Sequence, residues 1–218
     1  MTTDKVYNLI ILDESGSMDS IKSATISGFN EVVQTIKGIE KKFPEQQHFI
    51  SLVSFNGLAI KTLLDKAPAS TLRPIDENTY NPSSATPLYD AIALSTLRLK
   101  VDLAGIANAN VLVTIFTDGE ENASREFNHA QVNGIISELT KHGWTFTYIG
   151  ANHDVERVAH SISITNTMVF EADASILKHT FAKENLSRQR YSEKLRNKEE
   201  KQTGYYDEPD EKKDNYTA

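Results

Sequence analysis

The chain has 218 residues, 39% hydrophobic and 24% charged, which fits one well-filled α/β domain with a tail rather than a collagenous, disordered or membrane composition. Its 23 Lys and Arg stand against 30 Asp and Glu, a net charge of −7, so nucleic acid is not an expected partner, because phosphate-backbone binding needs a basic surface. There is no cysteine, which excludes disulfides, thiolate zinc sites, iron–sulfur clusters and a cysteine nucleophile.

The opening residues Met1–Lys5 lack the basic start and apolar stretch of a secretory signal, and the longest apolar run, Leu9–Leu12, is far below the ~20 residues that span a bilayer. The expectation is a soluble, cytoplasmic protein that is monomeric alone and has no membrane partner.

Val6–Leu12 is a mostly unbroken apolar run ending at Asp13, the pattern of a strand covered by helices on both faces. Phe29, Val32, Val33 and Ile36 then recur at helical spacing and predict an amphipathic helix over about 20–41, stopped near Pro44. His48–Phe55 is a second strand. Asn56-Gly57 followed by Leu58–Leu64 predicts a hairpin with positive φ at the turn, and hence one antiparallel edge strand.

Residues 67–86, rich in Pro, Asn, Ser and Thr, read as a long loop with one helical turn. Next come a helix from Pro87 to about Lys100, a buried strand Val111–Phe116, a helix Phe127–His142 and a strand Trp144–Ile149. A short helix Asp154–Ser161 and a last strand Ile164–Phe170 complete the set. Six strands alternating with helices predict a doubly wound, mostly parallel sheet in three α/β/α layers, Rossmann-like in kind.

From Ala174 the sequence suits a helix to about Gln202, but apolar residues thin out after Leu186, so only its first half is expected to dock. Residues 183–201 carry seven basic and four acidic residues, and 205–218 two lysines against five acids. The division expected is a domain over 1–182, a charged helical extension over 183–204 and an acidic disordered tail over 205–218.

Ligands of such sheets bind beyond the carboxyl ends of the strands. The first strand ends in Asp13-Glu14-Ser15-Gly16-Ser17 and a later one in Thr117-Asp118-Gly119-Glu120-Glu121-Asn122, and Ser83-Ser84-Ala85-Thr86-Pro87 reaches the same rim. Hydroxyls with two carboxylates suit a hard divalent cation that retains open positions. Residues 13, 15 and 17 alternate, so a tight turn eased by Gly16, read here as a steric requirement, points them to one centre while Glu14 faces away.

Asp13-x-Ser15-x-Ser17 after a buried strand, a Thr on a middle loop, and Thr117-Asp118-Gly119 after a later strand resemble the von Willebrand factor type A domain with its metal ion-dependent adhesion site. The resemblance covers roughly residues 5–182, and its wording, DESGSM and FTDGEEN, is nearer to intracellular bacterial or phage-type members. It implies hydroxyl ligands from Ser15, Ser17 and Thr86, with Asp13 and Asp118 acting directly or through water. Mg²⁺ is the implied ion, with Mn²⁺ or Ca²⁺ as alternatives, and a protein partner supplies a Glu or Asp ligand to it.

Other readings compete. Thr86 before a proline is also an ordinary helix cap, and Ser83 or Ser84 could replace it as ligand. Glu120 and Glu121 read as a solvated acidic rim, His153 and Asp154 as a capping turn, and Trp144, Phe146 and Tyr148 as sheet packing. The function expected is metal-dependent protein binding without catalysis. The alternatives are a Mg²⁺-dependent hydrolase or phosphotransferase using Asp13 as nucleophile, which Ser15 disfavours because it replaces the second Asp such enzymes use as general acid, and a scaffold with a purely structural metal.

Overall fold

A computed structural model describes residues 3–151, 154–170 and 174–207, without the side chains of 174 and 175. The strands are β1 (Asp4–Asp13), β2 (Gln46–Asn56), β3 (Ala59–Pro68), β4 (Ala109–Thr117), β5 (Thr145–Ala151) and β6 (Asn166–Phe170). The helices are α1 (Lys22–Lys42), α2 (Leu88–Asp102), α3 (His129–Lys141), α4 (Val155–Ser161) and α5 (Ala174–Asn197). Short 3₁₀ turns at Gly16–Ile21 and Ala69–Thr71 add to these.

The six strands form one sheet in the order β3-β2-β1-β4-β5-β6, parallel except for β3, which runs antiparallel to β2 at the edge. This is the predicted architecture. Alternation along β1 sends Val6, Ile10 and Leu12 to the layer holding α1 and α5, and Tyr7, Leu9 and Ile11 to the layer holding α2, α3 and α4. Helix α1 buries Phe29, Val32, Val33, Ile36 and Ile39 along one stripe. Helix α3 starts at a reciprocal capping box between Asn128 and Gln131.

The hairpin forms, but for a different reason. Gly57 is not among the glycines with positive φ. The turn is held instead by the Asn56 Oδ1, which accepts from the Leu58 and Ala59 N–H groups at 3.0 and 3.1 Å. A Cβ on Gly57 would lie 2.5 Å from Ser84 Oγ and 2.9 Å from Ala85 N, so what this position requires is the close approach of the 83–85 loop.

The expectation of a half-docked last helix is corrected. Beyond Leu186, α5 still buries Arg188, Tyr191, Ser192 and Leu195, and Tyr205 and Tyr206, placed in the tail by sequence, are buried as well. Only 208–218 of that tail lies outside the described residues. Apolar counting failed because much of what docks this stretch is polar. The Arg188 guanidinium donates to Asn8 Oδ1 (2.8 Å), Thr114 Oγ1 (2.8 Å) and Glu184 Oε1 (2.6 Å), and Glu184 also accepts from the Tyr205 and Tyr206 hydroxyls.

Helices α1 and α5 meet at Gly28, where an added Cβ would sit 1.9 Å from Phe181 Cδ2. Gly28→Ala is therefore expected to lower the urea midpoint. Overpacking costs about 1–3 kcal/mol, whereas the better helix propensity of Ala returns at most ~1 kcal/mol.

Candidate metal centre

Strands β1 and β4 are parallel neighbours in register from Lys5↔Ala109 to Leu12↔Phe116. Asp13 and Thr117 therefore end adjacent strands side by side, and Asp118 follows at the same rim. Asp13 is fully buried. Its Oδ1 accepts from the Ser15 N–H at 2.7 Å and its Oδ2 from the Thr117 hydroxyl at 2.5 Å. The Ser15 and Ser17 hydroxyls lie 3.2 Å apart, and Ser17 donates to Asp118 Oδ1 at 2.6 Å. Residues 13, 15, 17 and 118 thus form one connected cluster.

Glu14 does face away. Its Oε1 accepts from the Asn81 N–H at 2.6 Å and its Oε2 lies 3.6 Å from Lys61 Nζ. The steric requirement assigned to Gly16 is corrected: its φ is not positive, and a Cβ there would meet Ser84 O at an ordinary 3.5 Å. The tight glycine is Gly119, whose Cβ would lie 3.1 Å from Thr86 Oγ1 and 3.7 Å from Asp13 Oδ2.

That measurement also places Thr86 beside Asp13. Asn122 clamps the Thr86 backbone from both sides, Oδ1 accepting from Thr86 N at 2.9 Å and N donating to Thr86 O at 3.1 Å. Thr86 is 3% exposed, yet its hydroxyl has no hydrogen bond among the described residues. It is not a helix cap, for the N-cap position of α2 falls on Pro87 and receives no side-chain bond. Ser83 and Ser84 point elsewhere: Ser83 Oγ accepts from Asn56 Nδ2 at 3.3 Å, and Ser84 Oγ lies against Gly57.

Several supports gave no separate signal in sequence. Thr117 gives its hydroxyl proton to Asp13 and accepts from the Gly119 N–H at 3.1 Å, with the Gly119 carbonyl, also at 3.1 Å, as the alternative acceptor. The Tyr80 hydroxyl donates to the Asp13 carbonyl at 2.6 Å, tying down the long 72–86 loop, which the Asn30 side chain also grips through both the N–H and C=O of Ile75. Glu121 is not part of a solvated rim. Its carboxylate accepts from the backbone N–H groups of Tyr89, Ala123 and Ser124 and from the Ser124 hydroxyl. Asp90 does the same for the N–H groups of Arg125, Glu126 and Phe127. Together they fix the loop that carries Asp118, and Glu120 alone stays exposed.

Of the capping turn, His153 lies outside the described residues, and Asp154 takes the N-cap position of α4 but directs its carboxylate to Arg157 at 3.1 and 3.4 Å rather than to the helix backbone.

Burial pushes the Asp13 carboxyl up to about 6, against the pull of hydrogen bonds from Thr117 and Ser15 and with help from the Asp118 charge. Burial also raises Asp118, opposed by the Ser17 hydroxyl. No ion pair reaches either carboxylate among the described residues; Lys61, on β3, goes to Glu14, and Lys22 to Glu77 and Asn81. The described residues contain no cluster of three His, Asp or Glu side chains able to hold a metal, so an ion here would take two carboxylates and draw its other ligands from hydroxyls. The donor chemistry fits a hard divalent cation. Two poorly compensated carboxylates and one hydroxyl without a hydrogen bond among the described residues converge, with Gly119 contributing no side chain between them.

No helix among the described residues is long and apolar enough to cross a membrane. No curated protein sequence matches the chain. Among solved structures it is similar in fold to proximal thread matrix protein 1 from the mussel byssus, at 13% identity, with a TM-score of 0.53 and coverage of 87% of this chain and 47% of that one. The chain thus spans about half of the mussel protein. It is also similar to the SpRpn10 VWA domain, at 11% identity and a TM-score of 0.51, covering 82% of this chain and 94% of that one. The sequence of residues 9–184 matches the von Willebrand factor type A domain, and the chain belongs to that family.

Proposed function

We propose that the chain is a divalent-cation-dependent protein-binding module of the cytoplasm, with no catalytic step. Domains of this family are generally interaction modules, and the present reading specifies how this one engages a partner. Asp13, Ser15, Ser17, Thr86 and Asp118 would hold Mg²⁺, with Mn²⁺ or Ca²⁺ as substitutes, in an adhesion-site arrangement of the intracellular type. Bound there, the ion supplies an electrophilic position for a Glu or Asp side chain of a protein partner.

The observation that carries this reading is the Thr86 hydroxyl, which makes no hydrogen bond among the described residues and lies across Gly119 from the buried Asp13 carboxylate. A hydroxyl oxygen without a protein partner keeps its lone pairs available to a ligand. The chain's own residues do the rest. Thr117 and the Ser15 N–H aim Asp13, Ser17 aims Asp118, and the Asn122 clamp aims Thr86.

The test is capture of partner proteins in Mg²⁺ against EDTA, using wild type and the doubly substituted Ser15→Ala, Ser17→Ala protein, with Mn²⁺ binding followed in parallel by electron paramagnetic resonance. Wild type should bind Mn²⁺ and retain its partner only in Mg²⁺. The double variant should lose both properties and melt like wild type in EDTA. Equal recovery in all arms, or Mn²⁺ binding unaffected by the substitutions, defeats the proposal.

A further inference from the structure

Beside Asp118 lies a cavity of about 220 Å³, lined by Glu120, Tyr148, Asp154, Val155 and Val158 among others. Two features of it are unexplained by packing. Tyr148 is 2% exposed, yet its hydroxyl makes no hydrogen bond among the described residues. Glu120, whose charge acts on that hydroxyl, makes no hydrogen bond or close ion pair among the described residues, and the cation its charge reaches is Arg157, which pairs with Asp154. None of the described lining residues is basic.

We infer that this cavity receives a lysine or arginine side chain of the partner, carried close in sequence to the acidic residue that reaches the metal position. The inference rests on the metal-dependent reading above and adds a second specificity pocket to it.

The chemistry of the walls selects that occupant. Val155 and Val158 offer an apolar surface to an aliphatic stem, while the Tyr148 oxygen and the Glu120 carboxylate accept N–H donors from a cationic head. An uncharged apolar side chain would leave the Tyr148 hydroxyl unpaired, and an acidic one would meet Asp118 and Glu120.

Local charge points the same way. A divalent cation balances Asp13 and Asp118, and Arg157 is engaged with Asp154 at 3.1 Å. Glu120 and Asp154 thus share one cation, Arg157, so one negative charge stays in excess, and the partner's carboxylate must approach past it. A cation beside that carboxylate removes the repulsion and pairs with Glu120, which an isolated acid cannot do.

The test is selection of a phage-displayed random 12-residue peptide library on the full chain in Mg²⁺, with elution by EDTA. It is run on wild type, Glu120→Lys and Tyr148→Phe, with Mn²⁺ binding measured on each. Lys or Arg should be enriched about 5-fold within three positions of an Asp or Glu on wild type, the scale of a partly exposed ion pair. Glu120→Lys should still bind Mn²⁺ and yield EDTA-eluted acidic peptides, but with the basic enrichment gone or reversed. Tyr148→Phe should weaken the enrichment and melt as wild type does.

EDTA-eluted acidic peptides without basic enrichment, or the same enrichment on Glu120→Lys, overturn the cavity assignment and leave the metal reading standing. Absence of Mn²⁺ binding by wild type overturns the metal reading, and this inference with it.

Discussion

Replacing Arg188 with methionine should cost the fold about 3–5 kcal/mol, the penalty for stripping one partner from a buried ion pair. The side chains of Arg188 and Glu184 are each 1% exposed and meet at 2.6 Å. Methionine fills much of the volume but leaves the Glu184 carboxylate in the interior with only the Tyr205 and Tyr206 hydroxyls to hold it, strips Asn8 Oδ1 of its donor and leaves Thr114 Oγ1 with Thr147 alone. Glu184→Leu alone should be damaging for the converse reason, since it strands a guanidinium. The double substitution Arg188→Met, Glu184→Leu should cost markedly less than the sum of the two, because neither charge is left unpaired. Urea unfolding followed by the fluorescence of Trp144, the single tryptophan, measures all three. Strict additivity would show that the pair is not coupled and that α5 docks by its apolar residues alone.

That network marks the boundary of what the sequence discloses. The strands were legible because buried parallel strands are near-continuous apolar runs, and α1 because its apolar residues repeat at i, i+3, i+4. Docking of the second half of α5 was not, because hydrophobic counting gives no credit to an arginine. A signal existed all the same. Asn8 interrupts the apolar run of β1 and Thr114 that of β4, on neighbouring strands with Ile10 opposite Thr114. Two polar residues in adjacent buried strands require a polar partner from the covering layer, and Arg188 is that partner.

At the candidate site the positions of Asp13, Ser15, Ser17 and Asp118 follow from strand order and the alternation after Asp13. The clamps do not. Thr117, Asn122, Tyr80 and Glu121 act through bonds between residues far apart in sequence, and their types are unremarkable in loops. Gly16 and Gly57 show the converse error. A glycine in a turn suggests a left-handed backbone, whereas neither position has one; at Gly57 it is the neighbouring chain that leaves no room for a side chain.

Asp13→Asn should stabilise the protein in EDTA at pH 7 and destabilise it, relative to wild type, in saturating Mg²⁺. Burial raises the Asp13 carboxyl from its usual 3.8 to about 6, so the folded state holds this proton more tightly than the unfolded chain. The resulting stability is present below pH 3.8, falls away as pH rises through 6, and leaves a charged, buried carboxylate at pH 7. A shift of that size corresponds to about 3 kcal/mol at most. Asparagine is neutral and keeps the geometry. Its Oδ1 can accept from the Ser15 N–H, and its Nδ2 can donate to the Thr117 oxygen, whose hydroxyl then turns to Gly119 O.

His48 shifts in the opposite sense. Burial, aided by the Arg188 charge, lowers it from 6.5 to about 4, so its contribution is complete above pH 6.5 and is lost as pH falls through 4. Between pH 4 and 6 the two slopes oppose each other, and wild type in EDTA should show a shallow pH profile. The Asp13→Asn protein has only the histidine slope and should lose stability on acidification across that window. Adding Mg²⁺ at about 1,000 times its dissociation constant returns ~4.1 kcal/mol to wild type alone, more than the ~3 kcal/mol that asparagine recovers, so the order of the two melting midpoints inverts at pH 7. An Asp13→Asn protein less stable than wild type in EDTA at that pH would mean that the buried carboxylate supports the fold unaided, and the argument that it is held there for a cation would fail.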